Sequence, residues 1–320
     1  MVLQGVLRVK CVIFGGGGFI GSAIAERFLN AGYSLRIFER PRVQPYRHFS
    51  DNTAIEWVTG DILSHHDLAA AIDGMDVVLH LVSTTLPKSS NDDPIYDVQS
   101  NVIGTLQMLN TMVTKQVKKM IFISSGGTVY GVPNYVPIDE QHPTNPLVSY
   151  GITKLTIEKY LAMYEKLHGI QAITLRVANP YGERQRIETA QGAVGVFLHH
   201  ALKDIPIEIW GDGSVTRDYI HVSDVAEAFF QATTYQGKER VFNISSGQGL
   251  SLNELLALLE QVLNKNIVCR YLAARPFDVP VSILNNQLAQ RELNWSPNIS
   301  MLEGLSRTAD WMRQELIKNS

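Results

Sequence analysis

The run Val12-Ile13-Phe14-Gly15-Gly16-Gly17-Gly18-Phe19-Ile20-Gly21 constrains this chain more than any other stretch. A short apolar run of β type stops at four glycines, and Ser22–Leu29 then continues at helical spacing. Gly16, Gly18 and Gly21 fit G-x-G-x-x-G, and Gly15, Gly18 and Gly21 fit G-x-x-G-x-x-G. Glycine supplies the positive φ of a tight turn, lets backbone approach a pyrophosphate, and lets helix and strand pack closely. The helix start adds N–H groups and a positive dipole end for phosphates. A second β-type run, Ser34–Phe38, ends in Glu39, roughly 20 residues past the loop, where an acid meets the adenosine ribose hydroxyls. The spacing predicts a strand–helix–strand unit for NAD. Glu39 disfavours a 2′-phosphate, whereas Arg40 beside it offers a partner for one, so NADP stays open.

The same alternation continues. Strands are expected at Lys10–Phe14, Ser34–Phe38, Ile55–Thr59, Asp76–Leu81, Lys119–Ser124 and Ala172–Val177. Helices are expected at 19–31, 65–73, 94–116 and 149–168. Such a pattern implies an α/β fold: a Rossmann-type, doubly wound parallel sheet binding ligands at its strands' C-terminal ends. Beyond residue 180 the alternation breaks. Segment 180–192 reads as loop, and shorter strands and helices follow, with strands at 206–210, 217–222, 240–244 and 267–273. The expected division is 1–178 for the NAD-binding domain, with a sheet return near 240–245, and 179–320 for a smaller, interleaved α+β substrate-binding lobe. The cleft between them is expected to hold the substrate.

Composition removes several function classes. A net charge of −3 leaves no basic footprint for nucleic acid or an anionic membrane. No apolar run is long enough to span a bilayer, and Met1–Lys10 is too short for a secretory signal. Cys11 and Cys269 stand in apolar β-type runs without metal-ligand spacing, so buried free thiols, a reducing cytoplasm and no metal are expected.

Candidate site residues follow from position. Asp61, after Gly60 at the end of the third strand, either accepts from the adenine amino group or closes a turn. His80, inside Val77–Leu81, reads as a satisfied core histidine. Asn101, mid-helix, is a poor helix former, which suggests a tether to a neighbouring strand or loop near the cofactor, or else a solvent-facing amide. Tyr150-x-x-x-Lys154 places a phenol and an ammonium on one helix face. The lysine is expected to lower the phenol pKa and make Tyr150 a general base. The pair follows a strand ending in Ser124-Ser125, whose hydroxyls are expected to face that helix.

These residues together resemble the extended short-chain dehydrogenase/reductase superfamily, and within it the NAD-dependent nucleotide-sugar epimerases of UDP-glucose and UDP-N-acetylglucosamine 4-epimerase type. The ordered matches include Gly15–Gly21, Gly60-Asp61, His80-Leu81, Asn101-Val-Ile-Gly-Thr105, Ser124-Ser-Gly-Gly-Thr-Val-Tyr-Gly131 and Asn179-Pro-Tyr-Gly182. Later ones are Gly211-Asp-Gly, Arg217-Asp-Tyr-Ile-His-Val222, Arg275-Pro-Phe-Asp278 and Arg291-Glu-Leu-Asn-Trp295. The resemblance implies catalysis by Tyr150, Lys154 and Ser125. It implies NAD held by Gly15, Gly18, Phe19, Ile20, Glu39, Asp61, Ile62, Leu81, Asn101, Tyr150 and Lys154. It implies a UDP-sugar held by Ser125, Tyr150, Asn179, Arg217, Arg275, Asp278 and Ser282. The two arginines are suited to phosphates because a planar guanidinium binds an oxyanion with two parallel bonds.

One position departs from the family pattern. The usual Ser or Thr four residues before the tyrosine of Val-Tyr-Gly is Gly126 here, so Ser125 is expected to supply that hydroxyl, with Thr128 as second candidate. Gly127-Thr128 replaces the Asp-Glu pair of the 4,6-dehydratases, which disfavours dehydration. The rivals are an NAD(P)H-dependent reductase of a nucleotide-linked 4-keto-6-deoxy sugar and, from another class, a non-catalytic NAD(P)-sensing protein. A homodimer is expected through helices 94–116 and 149–168, with Leu106, Leu109, Met112, Ile157 and Leu161 as its apolar positions.

Overall fold

The computed structural model describes residues 8–47, 49, 54–87, 89–185, 192–274 and 279–318. In chain order the first elements are β1 (Lys10–Phe14), α1 (Phe19–Asn30), β2 (Ser34–Glu39), β3 (Ile55–Thr59), α2 (His65–Ile72), β4 (Val77–His80) and α3 (Pro94–Asp97). A π-helical turn at Val98–Ile103 leads into α4 (Gly104–Thr114), then β5 (Lys119–Ser125), α5 (Ser149–His168) and β6 (Gln171–Val177). There follow β7 (Asn179–Tyr181), α6 (Ala193–Leu202), β8 (Ile207–Trp210), β9 (Thr216–His221), α7 (Val222–Thr234) and β10 (Val241–Ile244). The last are β11 (Gly249–Ser251), α8 (Leu252–Leu263), β12 (Cys269–Leu272), β13 (Val281–Ser282), α9 (Gln287–Leu293) and α10 (Met301–Lys318).

The seven-stranded parallel sheet runs β10-β6-β5-β4-β1-β2-β3, flanked by helices. Its order reverses at β1: the chain first walks outward through β2 and β3, then crosses back to β4. The registers Phe14↔Phe38 and Phe14↔His80 set the ends of β2 and β4 beside the end of β1, so the loops after all three open together. That reversal is where doubly wound sheets bind ligands. The glycine run sits there.

The chain forms two compact units. One comprises Met1–Ser124, Pro146–Leu175 and Phe229–Arg240; the other Ser125–Asn145, Arg176–Ala228 and Val241–Ser320. The core of the first packs Phe14, Phe38 and Phe122 with Leu68, Met108, Leu109, Met112, Ile157 and Leu161. In the second, Tyr181, Leu198, Ile209, Leu255, Leu305 and Met312 make the core. There β9 lies central, with β11 antiparallel on one side and β13 and β7 parallel to it, while β8 and β12 form a separate parallel pair.

Several expectations need correction. Residues 94–116 are not one regular helix: the π-helical turn interrupts them, and Asn101 lies within it. Segment 180–192 opens on the end of β7 rather than as loop. Cys11 is buried, with its thiol pKa pushed up by burial, but Cys269 is only half-buried. Leu109, Met112, Ile157 and Leu161, assigned above to a dimer contact, are at most 2% exposed and belong to the unit's own core. The large apolar side chains those stretches expose are instead Ile95, Tyr96, Val98, Ile103, Ile152, Met163 and Leu167.

Candidate active site

The glycine turn is built as its sequence demands. Gly15 has φ +87°, which a side chain rarely adopts, and its N–H donates to Phe38 O at 3.0 Å. A Cβ on Gly21 would lie 2.7 Å from Gly16 Cα and collide with the Gly15 carbonyl. The third glycine therefore lets α1 press against the turn. Gly18 caps α1 in extended conformation with no side-chain hydrogen bond to the cap, and Phe19 and Ile20 begin the helix. Glu39, the last residue of β2, turns its Oε1 to the Gly17 N–H at 2.7 Å. Burial raises the Glu39 pKa and outweighs the stabilisation from that bond. Free N–H directions at a helix start, a cradle with no Cβ and a carboxylate at its edge fit the diphosphate and ribose of a dinucleotide.

The rim of this cradle comes from the loops after β3 and β4. Asp61 is exposed and its Oδ1 accepts from Leu63 N at 2.9 Å, closing a turn. Ile62 is buried against Gly104, at the start of α4. Leu81 donates its N–H to Phe14 O at 3.0 Å and stands beside Gly15. Asn101 ties down the loop after β4: its Oδ1 accepts from Thr84 N at 3.0 Å, and its Nδ2 donates to Asp97 Oδ1 at 2.8 Å.

His80 is half satisfied. The Thr105 hydroxyl donates to Asn101 O at 2.6 Å, so the contact of 2.8 Å between His80 Nε2 and Thr105 Oγ is the imidazole N–H donating. Nδ1 then carries a lone pair, and it has no partner among the described residues. Burial, with the Lys154 charge nearby, pushes the His80 pKa down to about 3.

Tyr150 and Lys154 occupy the first turns of α5. The lysine is buried and donates from Nζ to Ile123 O at 3.1 Å, 5.5 Å from the Tyr150 ring centroid and 4.8 Å from that of Phe122. Burial lowers its pKa to about 8, against the pull of the Asp97 and Glu158 carboxylates. The tyrosine departs from expectation. Burial first, and the Asp97 charge second, push its phenol up to about 12, while a hydrogen bond with Ser83 acts the other way. Burial is the largest cause, and Asp97, an acid the motif does not include, adds to it. Of the two serines at the end of β5, Ser124 is committed to α5 through a bond of 2.6 Å to Glu158 Oε1.

Asp97 is what the sequence reading missed. It is fully buried and receives Thr85 Oγ at 2.5 Å and Asn101 Nδ2 at 2.8 Å on Oδ1, and Ser149 Oγ at 2.6 Å on Oδ2. The available signal was an acid four residues before Asn101 on a helical stretch.

The second unit holds a cavity of about 230 Å³ lined by Asn179, Tyr181, Gly192, Val194, Arg217 and Tyr219, among others. Two of the expected substrate residues thus meet there. Asn179 Nδ2 donates to Asp218 O at 2.8 Å, and the Arg217 guanidinium donates to Val279 O at 2.7 Å. Ser282 lies in β13 in register with Arg217 and is 8% exposed, outside the cavity lining. Arg275 and Asp278 lie outside the described residues. Position 126 is glycine for a steric reason, since a Cβ there would strike Leu284 Cδ1 and crowd the Arg176 carbonyl. Ser125 is half-buried next to it, and the Thr128 hydroxyl is buried without a partner among the described residues.

Among the described residues no cluster of His, Cys, Asp and Glu is placed to hold a metal, and no helix is long and apolar enough to cross a membrane. The model of the NAD dependent epimerase/dehydratase family matches residues 11–245. A Methanocaldococcus jannaschii protein provisionally named a UDP-glucose 4-epimerase is 36% identical over 304 residues, 94% of this chain and 98% of its own. A dTDP-4-dehydro-6-deoxyglucose reductase of Escherichia coli is 32% identical over 303 residues, 92% of this chain and 95% of its own. The crystal structure of a Thermotoga maritima UDP-glucose 4-epimerase with UDP-glucose superposes with a TM-score of 0.91 at 31% identity, covering 96% of this chain and 100% of that one.

Proposed function

We propose that this chain, which belongs to the NAD dependent epimerase/dehydratase family, inverts C4 of a UDP-sugar through a 4-keto intermediate, accepting UDP-GlcNAc and UDP-GalNAc as well as UDP-Glc and UDP-Gal. The observation that carries this reading is the buried Lys154 one helical turn from Tyr150, in the same unit as a side-chain-free glycine cradle. The Thermotoga maritima UDP-glucose 4-epimerase of the same fold was crystallised with UDP-glucose, which supports the substrate class.

NAD, when bound, would supply reversible hydride exchange at C4 of the sugar. The protein's share is position and protons. Gly15, Gly18, Phe19 and Ile20 would receive the diphosphate, and Glu39 the adenosine ribose, with Asp61, Ile62, Leu81 and Asn101 along the rim. Tyr150 accepts the proton of the 4-hydroxyl as hydride leaves, and restores it after the keto sugar turns over. Lys154 supports the phenolate by its charge and would hold the nicotinamide ribose. Ser125 is assigned to hold O4, and Asn179, Arg217, Arg275 and Asp278 the nucleotide diphosphate. We assign Ser282 to the sugar's 2-substituent, where its small volume admits an acetamido group.

The test is conversion of UDP-glucose to UDP-galactose, and of the acetylated pair, by purified protein with no reduced cofactor added. Turnover without added NADH supports the epimerase. The 32% identity to the Escherichia coli reductase favours a second reading, in which NAD(P)H is consumed one for one with a 4-keto sugar. A homodimer accompanies the first reading, seated on the exposed Ile95, Val98, Ile103, Ile152, Met163 and Leu167.

A further inference from the structure

The first turn of α5 has no cap of its own: Val148 precedes it in extended conformation with no side-chain bond. Two of its donors are satisfied from outside. Asn91 Oδ1 accepts from Ser149 N at 2.9 Å, and Ser90 Oγ accepts from Tyr150 N at 3.0 Å. The Ser149 hydroxyl, which would cap a helix from one position earlier, donates instead to Asp97 Oδ2 at 2.6 Å. The other carboxylate oxygen of Asp97 is held by Thr85 and Asn101, at 2.5 and 2.8 Å. A fully buried carboxylate with charge-assisted bonds to three elements is costly to remove and geometrically stiff. It joins the loop after β4, the π-helical turn and the helix that carries the tyrosine.

We propose that Asp97 is a positioning residue for Tyr150, fixing the first turn of α5 to the loop after β4 through Ser149, Thr85 and Asn101 and bringing a buried carboxylate to that turn. The proposal rests on the reading of Tyr150 as the proton acceptor. Its electrostatic half follows from sign: a buried like charge opposes the phenolate, and Asp97 raises the Tyr150 pKa after burial itself. The other charged groups in reach are Lys154 on the same helix, Glu158 one turn further on, and His80 on β4, which burial keeps neutral. Losing Asp97 also removes one support of the Lys154 ammonium, but Glu158 stays as the second. The direct effect on the phenol therefore governs.

Two variants separate charge from tether. Asp97→Asn keeps the shape and removes the charge, while Ser149→Ala keeps the charge and removes one bond. On NAD-loaded protein without sugar, the Tyr150 phenolate is titrated by absorbance at about 295 nm as the difference from Tyr150→Phe. Asp97→Asn should move the midpoint down by about one pH unit, the scale of one close charge. Ser149→Ala should leave the midpoint in place, let first-turn amides of α5 exchange about tenfold faster, and lower kcat with KM little changed. A midpoint that stays or rises in Asp97→Asn overturns the proposal. If that variant does not fold, unaltered amide exchange in Ser149→Ala overturns it. Failure of the wild type to turn over any UDP-sugar would sink the epimerase reading and leave both physical measurements standing.

Discussion

Gly21→Ala is the sharpest probe of the cofactor cradle. The added methyl would sit 2.7 Å from Gly16 Cα and inside the Gly15 carbonyl's contact distance, all backbone atoms that have no rotamer to yield. Ordinary carbon contacts lie at about 3.5–4.0 Å, so α1 must retreat from the turn by roughly 1 Å. Overpacking of this kind costs about 1–3 kcal/mol in stability. The larger effect falls on binding, because the N–H groups that start α1 move with the helix, and a displacement of about 1 Å in a positioned group costs up to ~10²-fold. NAD affinity, followed by quenching of protein fluorescence or by calorimetry, should fall between about 10-fold and 100-fold, with a lowered melting temperature. Affinity within twofold of wild type would refute the argument that close helix–turn packing is what this glycine serves.

Other perturbations probe separate parts of the account. His80→Gln keeps a donor for Thr105 and removes the imidazole. Because the folded pKa of His80 lies near 3, below its unfolded value, the stability it confers is present above about pH 6.5 and drains as pH falls toward 3. The wild type should therefore lose about 2 kcal/mol more than the variant between pH 6.5 and 5, and parallel melting curves across that range would contradict it. Ser282→Tyr should lower kcat/KM for the acetylated sugar pair relative to the plain pair by ~10–200-fold, and an unchanged ratio would remove Ser282 as a gate. Met163→Lys, which puts a charge on the exposed face of α5, should convert a light-scattering dimer to monomer without altering the melting curve at low concentration. Tyr150→Phe should bind NAD normally while losing at least ~10²-fold in turnover, and near-wild-type turnover would take Tyr150 out of the mechanism.

Much of the first unit was legible because its elements are long and strongly patterned. Lys10–Phe14 and Ile55–Thr59 fall where the apolar runs place them, and the glycines announce the turn between β1 and α1. The short strands β7, β11 and β13 were not legible, since two or three residues carry no periodicity and exist only by pairing with β9. The π-helical turn escaped for a related reason. What marks the turn is a tertiary bond, Thr84 N donating to Asn101 Oδ1, that no periodicity announces. Leu109 and Ile157 show the limit of amphipathic reasoning, because periodicity marks an apolar face without saying whether this chain or another covers it. The Tyr150 environment was misjudged most. A motif of tyrosine and lysine describes one helix, whereas the phenol's proton affinity is set by burial and by Asp97 from another element.

The central claim is that a hydride leaves C4 and returns to the same carbon within one protein molecule. UDP-glucose deuterated at C4, incubated with the purified protein and no added NADH, tests it directly. The account predicts UDP-galactose that retains the deuterium at C4, with none released to solvent. Loss of the label, or product formation only with stoichiometric NADH, would contradict it.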